Sequence, residues 1–278
     1  MKIDKRITYV SGLPRAGSTL MCQLLGQHPD IYGLGHSSPL FDAINQFRRS
    51  MSENSFLLSQ LDGDLERVQA RLLSATRGLI NGWFDETERP VVVDKNRGWL
   101  CMVEMLNLID PDFRMIVCVR DLRQIMGSIE AQHAKTRLLD FPDHLDSHSI
   151  SQRMSSLFND NGLVGEALRS IEQMQDIEDE GIRSKICYVS YEQLATTPAD
   201  AMAFIYDWLD IADFNLDPDD LVVTPTEADS YYRYKYPHAT HAEVSVAEPH
   251  DLPVRIEEAI LREFGWFYRQ FYPEVALP

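Results

Sequence analysis

Residues Ile7 to Leu25, ITYVSGLPRAGSTLMCQLL, constrain what the chain can fold into more than any other stretch. Ile7-Thr8-Tyr9-Val10 favours a β-strand, Ser11 to Gly17 is turn-rich, and from Ser18-Thr19 the residues Leu20, Met21, Leu24 and Leu25 recur at helical spacing. That order reads strand, loop, helix. Set against the phosphate-binding template G-x-x-x-x-G-K-[ST], Gly12 to Thr19 fits every defined position but one, because Ser18 stands where the lysine belongs. Such a loop can still turn backbone N–H groups and a helix start toward an anion, with Arg15 adding charge. It lacks the lysine that reaches a β/γ-phosphate pair.

Composition sets outer bounds. The chain has 278 residues, 44% of them hydrophobic, with four Trp, eleven Tyr and twelve Phe, enough for a large core and against disorder. No Pro/Gly/Ser-rich linker divides it, so residues 1–278 are expected to form a single domain. Met1 to Arg6 has no apolar signal core behind it, and no later run approaches the roughly 20 apolar residues of a membrane span. The expectation is a soluble, cytoplasmic protein with no membrane partner. Cys22, Cys101, Cys118 and Cys187 are far apart and form no C-x-x-C pair, which reads as buried free thiols. A formal charge of −17 argues against a nucleic-acid partner and makes a highly sulfated polysaccharide a poor partner. Any anion site must therefore be local.

In chain order, Ile31 to Leu40 carries two glycines and a proline and reads as a loop holding His36. Asp64 to Phe84 shows a helical apolar stripe and is read as core packing. Val91-Val92-Val93-Asp94 reads as a buried parallel strand, which places Lys95-Asn96-Arg97 at its carboxyl end, where open α/β sheets bind ligands. Arg114 to Val119 is a second such strand. It ends at Arg120, with Ser128 on the following helix; the pair can clamp a phosphate, or Arg120 and Asp121 can form a surface pair. His144 and His148 have a metal-like i, i+4 spacing but no HExxH context, and no metal is assigned. Asn161 to Gln175 reads as a helix, Lys185 to Ser190 as a third β-like run after these, Pro198 to Trp208 as a helix and Pro253 to Phe271 as a closing amphipathic helix. Between Thr224 and His250 a Tyr-rich loop, DSYYRYKYPHATH, carries Arg233 and Lys235.

Three of these segments resemble sulfotransferases that use 3′-phosphoadenosine 5′-phosphosulfate (PAPS). GLPRAGSTLM followed by Gln27-His28-Pro29-Asp30 is similar to the 5′-phosphosulfate loop, most of all that of the tyrosylprotein branch, P-R-S-G-T-T-L-M with H-P-D. VRDLRQIMGS is similar to the 3′-phosphate motif V-R-D-x-R-x-x-x-x-S, with Arg120 and Ser128 in the matching places and Gln132 where some members carry an arginine. Tyr191-Glu192-Gln193-Leu194 resembles a Y-E-D-L segment whose tyrosine faces adenine. The resemblance implies that Arg15, Ala16, Gly17, Ser18, Thr19 and Leu20 hold the phosphosulfate, Arg120 and Ser128 the 3′-phosphate, Tyr191 the adenine, and Lys235 a further anion contact. It implies catalytic roles for Arg15 and for Lys95, which sits where the tyrosylprotein branch has N-K-D. Counting from the shared P-R places that branch's proposed glutamate base at His36. An imidazole is suited to accept a proton near neutrality, with Glu130, His238 and His241 next in line.

The fold expected is a three-layer α/β sandwich with a P-loop-like turn and a parallel sheet, its strands near 7–10, 91–94, 114–119 and 185–190. The function expected is sulfuryl transfer from PAPS to a hydroxyl or amine of a small-molecule or peptide acceptor, with no metal required. A homodimer is left open. Two other readings stand beside it: a small-molecule kinase with a degenerate P-loop, and an inactive relative that keeps only the nucleotide site.

Overall fold

Buried strands rich in β-branched residues form the centre of the molecule. In a computed structural model, which describes residues 1–278 except Leu34, 139–146, 224–226, 229–236 and 239, and only the backbone at 227–228 and 237–238, the chain runs as follows. β1 (Arg6–Gly12), α1 (Ser18–Gly26) and a short β2 (Ile31–Tyr32) precede α2 (Leu40–Ser52), α3 (Ser55–Leu61) and α4 (Leu65–Trp83). β3 (Val91–Lys95), a 3₁₀ turn Arg97–Met102, α5 (Val103–Ile109), β4 (Arg114–Val119) and α6 (Leu122–Lys135) follow. Then come α7 (Ile150–Phe158), α8 (Gly165–Gln175), α9 (Glu180–Arg183), β5 (Ile186–Ser190), α10 (Tyr191–Thr196) and α11 (Pro198–Trp208). A paired β6 (Glu227–Ala228) and β7 (Pro237–His238) and the helices α12 (Val254–Glu263) and α13 (Gly265–Phe271) complete the described chain.

The main sheet has the order β2-β3-β1-β4-β5, with every adjacent pair parallel. Consecutive rather than alternate residues are buried along β1, β3 and β4, so helices cover both faces and the architecture is a three-layer α/β sandwich. After laying β2 and β3 on one side of β1, the chain crosses to β4 and β5 on the other. That reversal leaves a crevice at the carboxyl end of β1, where such sheets bind ligands.

Gly12 ends β1 at a point no other residue fits. Its φ is +132°, and a Cβ there would lie 2.1 Å from the Cys118 carbonyl oxygen of β4. Leu13 N–H donates to that same oxygen at 2.9 Å, turning the chain off the sheet. Behind this edge Trp99 is fully buried, edge-on to Tyr9 at 4.8 Å and to Phe41 at 5.3 Å between centroids. His28 is structural: its Nε2 pairs with the Ala212 carbonyl at 3.0 Å and its Nδ1 accepts from Asp30 N–H at 3.1 Å.

Four expectations change. Ile31–Tyr32 is a strand, pairing with Val91–Val92 at the sheet edge, rather than loop. The closing amphipathic segment is two helices, broken at Phe264, which caps the end of α12 and precedes Gly265, the first residue of α13. The helix read from Asn161 starts at Gly165, because Gly162 N–H turns back to the Asn159 carbonyl at 2.8 Å. Cys22, Cys118 and Cys187 are buried free thiols as expected, but Cys101 is exposed on the 3₁₀ turn. Among the described residues no helix is long and apolar enough to cross a membrane.

Candidate active site

The loop after β1 holds its shape by left-handed backbone at Arg15 (φ 62°) and Gly17 (φ 86°). A non-glycine residue in that region is a strained arrangement that clusters at ligand sites. Gly17 caps α1 without any side-chain hydrogen bond, so the first N–H groups of the helix are left for a ligand. A Cβ at Gly17 would come within 3.0 Å of Tyr191 Cδ2, so the glycine also lets the ring of α10 close against the loop.

Arg120 stands at the carboxyl end of β4 and is only 7% exposed. Its Nη1 donates to the Arg15 carbonyl at 3.1 Å, and its guanidinium lies 4.2 Å from the Tyr191 ring centroid, a cation–π contact. Its Nε is buried with no hydrogen-bond partner among the described residues, and burial pulls its pKa below the usual arginine value. The neighbouring Asp121 does not neutralise it. Burial alone would raise the Asp121 carboxyl, but hydrogen bonds from Arg123 and, at 2.8 Å, from the Tyr268 hydroxyl hold it below its ordinary pKa. The Arg-Asp pair of this segment is thus Arg123–Asp121. Arg15 Nε donates to Ser128 Oγ at 3.1 Å, linking the loop to α6.

Lys95, 6% exposed, crosses from the tip of β3 to donate to Thr19 Oγ1 at 3.1 Å and to the Gly35 carbonyl at 3.2 Å. The preceding Asp94 points the other way and accepts from Trp99 Nε1 at 2.7 Å. Burial pushes its carboxyl pKa up, while hydrogen bonds with Ser38 and Trp99 pull it back. Ser38 N–H donates to the Lys95 carbonyl at 2.8 Å and Asn96 Nδ2 donates to the Ser38 carbonyl at 2.8 Å. The loop that carries His36 is therefore clamped to the strand end that carries Lys95.

Two clefts open here. One, of about 350 Å³, is lined by Arg15, Gly17, Ser18, Thr19, Leu20, Arg120, Ser128 and Tyr191, together with Gln23, Gln132, Lys135, His241, Glu243 and His250. The other, of about 240 Å³, is lined by Ser11, Pro14, Ser18, Ser37, Asp42, Lys95, Asn96 and Arg97 over Val10 and Leu13. Ser18 is the one residue common to both linings.

The sequence-derived set thus assembles mostly on the first cleft. Ala16 is buried beneath the loop without lining it, and Lys95 belongs to the second cleft. His36 is exposed between Gly35, which accepts from Lys95, and Ser37, which lines the second cleft; His36 itself lines neither. Lys235 and His144 lie outside the described residues. Glu130 is held by Arg153, whose Nε donates to it at 2.7 Å, and His148 presents its carbonyl to the same arginine. No group of three metal-ligating side chains occurs among the described residues. Asp42, Gln23, Glu243 and His250 carried no sequence signal, being isolated residues brought in by tertiary packing. Lys135 did carry one, since it lies seven residues, about two turns, beyond Ser128 on the same face of α6.

Gln23 also pins the late segment. Its Nε2 donates to the Val222 carbonyl at 2.9 Å and the His241 carbonyl at 3.1 Å, so both flanks of residues 224–239 rest on α1. Tyr191 OH accepts from Ala247 N–H at 3.1 Å, drawing the segment beyond it over the first cleft.

No curated protein shows significant sequence similarity to the chain. The sulfotransferase domain from the curacin biosynthetic pathway is similar in structure over 100% of both chains, with 13% identity and a TM-score of 0.53, a likeness that speaks to the fold alone. The sulfotransferase domain of the Synechococcus PCC 7002 olefin synthase matches over 77% of this chain and 76% of its own, at 18% identity and a TM-score of 0.47. A sulfotransferase from Alicyclobacillus acidocaldarius matches over 77% and 87%, at 14% identity and a TM-score of 0.46. The model of the sulfotransferase family matches residues 8–215, from β1 through the turn after α11, and the chain belongs to that family.

Proposed function

We propose that the protein transfers a sulfuryl group from PAPS to a hydroxyl or amine of a small-molecule or peptide acceptor, releasing adenosine 3′,5′-bisphosphate. The observation that carries this reading is Arg120, a buried cation whose Nε has no hydrogen-bond partner and which makes no ion pair among the described residues, with Ser128 and Arg15 beside it. Burying a charge without a paired counter-ion is costly, which an arriving anion relieves. PAPS supplies a sulfuryl group already activated by its nucleotide leaving group. Arg120 and Ser128 would hold the 3′-phosphate, the face of Tyr191 the adenine, and Arg15 with the N–H groups of Gly17 to Leu20 the phosphosulfate.

Lys95 lies against Thr19 at the wall between the clefts, where it can stabilise charge developing on the transferring group and leaving oxygen. A sulfuryl group carries less charge than a γ-phosphoryl group, so this set suits transfer without a metal ion. The second cleft would take the acceptor, and His36, next in sequence to Ser37 of its lining, would receive the acceptor proton as the acceptor attacks in line. Buried free thiols support a reducing, cytoplasmic setting.

A thermal-shift screen with adenosine 3′,5′-bisphosphate, ATP and GTP tests the reading. Adenosine 3′,5′-bisphosphate at about 100 times its Kd adds about 2.7 kcal/mol of stability and should give the largest shift. A larger shift with ATP or GTP would favour the kinase reading and overturn this one. Turnover of PAPS separates an active enzyme from a dead relative.

A further inference from the structure

His250 is seated at the first cleft by two residues of α6. Gly127, in the interior of α6 where glycine weakens a helix, is the seat: a Cβ there would lie 2.3 Å from His250 Cβ. Gln124, one turn earlier, fixes the backbone of residue 250 from both sides, accepting its N–H at 2.9 Å and donating to its carbonyl at 3.3 Å. The ring is thereby held in a cleft that also receives Arg15, Arg120, Ser128 and Lys135. The titratable and charged groups that line the cleft with it are Arg15 from the loop, Arg120 at the end of β4, Lys135 from α6, Tyr191 from α10, and His241 and Glu243 from the late segment; Glu248 and Asp251 flank it in sequence.

Resting on the donor reading above, we propose that His250 is a ligand of the 3′-phosphate, binding it as an imidazolium and taking up a proton when the nucleotide enters, with Lys135 as a second cation at the rim. In the free protein burial, then Arg120, Arg15 and Lys135, hold the imidazole below its ordinary pKa and so favour its neutral form. A phosphate dianion reverses the sign of that environment and raises the pKa in the complex. Nucleotide affinity then increases as pH falls through the interval between the bound-state and free-state values. The 3′-phosphate itself gains a proton only near pH 6, so the interval from about pH 8 to 6.5 reads the histidine.

Isothermal titration of adenosine 3′,5′-bisphosphate and of adenosine 5′-monophosphate into the full chain at pH 6.5 and 8.0 tests this. In the wild type the bisphosphate should bind about 5- to 10-fold tighter at pH 6.5, within the limit of about 30-fold that one proton per nucleotide sets over 1.5 pH units, and the monophosphate should show no such gain. Titration at pH 7.5 in two buffers of different ionisation heat should show net proton uptake with the bisphosphate alone. His250→Gln should abolish the pH gain, Gly127→Ala should reduce it by displacing the ring, and Lys135→Ala should weaken the bisphosphate a few-fold, more at low salt. A flat wild-type profile, no proton uptake, or an undiminished gain in His250→Gln overturns the proposal while leaving the donor reading standing. Equal affinity of the wild type for both nucleotides at both pH values overturns the donor reading and this inference with it.

Discussion

Lys95 illustrates how one side chain can be assigned a chemical part before any ligand is seen. Its ammonium is buried and held by Thr19 and Gly35, so its position is set in advance and little is lost in ordering it. If it answers charge that appears only as the sulfuryl group moves, Lys95→Ala should lower kcat far more than it raises the KM for PAPS. Steady-state kinetics with the two substrates varied decides this, and an effect confined to KM would make Lys95 a binding residue only. His36→Ala should keep nucleotide binding and lose about 10²- to 10⁴-fold in rate; a fully active variant would move the search to Asp42, the carboxylate that lines the second cleft. The glycines, Arg15, Arg120 and Ser128 were legible in the sequence because a phosphate loop and a strand-end arginine impose fixed local spacing. Asp42 and His250 were not, because each reaches its cleft through a contact with a distant element and leaves no spacing to read.

At the level of elements, the strands were legible where both faces are covered. Val91 to Val93 and Met115 to Val119 are continuous apolar runs because every one of those positions is buried. β2 was missed because two residues at a sheet edge, next to glycines, carry no such pattern. The break at Phe264 was missed because the apolar stripe continues across it from α12 into α13. The close approach of β1 and β4 at Gly12 gives a sharper test. Gly12→Ala demands a backbone shift of β4 or a new course for the loop, since the obstructing atom is the Cys118 carbonyl rather than a flexible side chain. We expect a loss of about 3 kcal/mol or more in denaturant unfolding, the range of strained and overpacked sites. A loss below about 0.5 kcal/mol would mean that the loop accommodates the methyl without strain.

For the whole molecule, stability and turnover respond to different ends of the sheet. At the end away from the clefts, Asp110 closes α5 beside Tyr9, whose hydroxyl donates to it at 3.4 Å, and burial pushes the carboxyl up to about 6. An unfolded aspartate titrates near 3.9. Because the folded value is the higher one, this group's contribution is fully present below about pH 4 and is lost as pH rises through about 6. Between pH 5 and 7.5 it should remove about 1–1.5 kcal/mol, and Asp110→Asn should flatten that part of the stability profile; an unchanged slope would place the titrating group elsewhere. At the other end, the two clefts share Ser18 and nothing else of their linings. If donor and acceptor occupy them as proposed, neither substrate has to leave before the other arrives, and no side chain has to carry the sulfuryl group between them. Initial-rate plots should accordingly intersect rather than run parallel, and a sulfuryl group made chiral by oxygen isotopes should leave with inverted configuration.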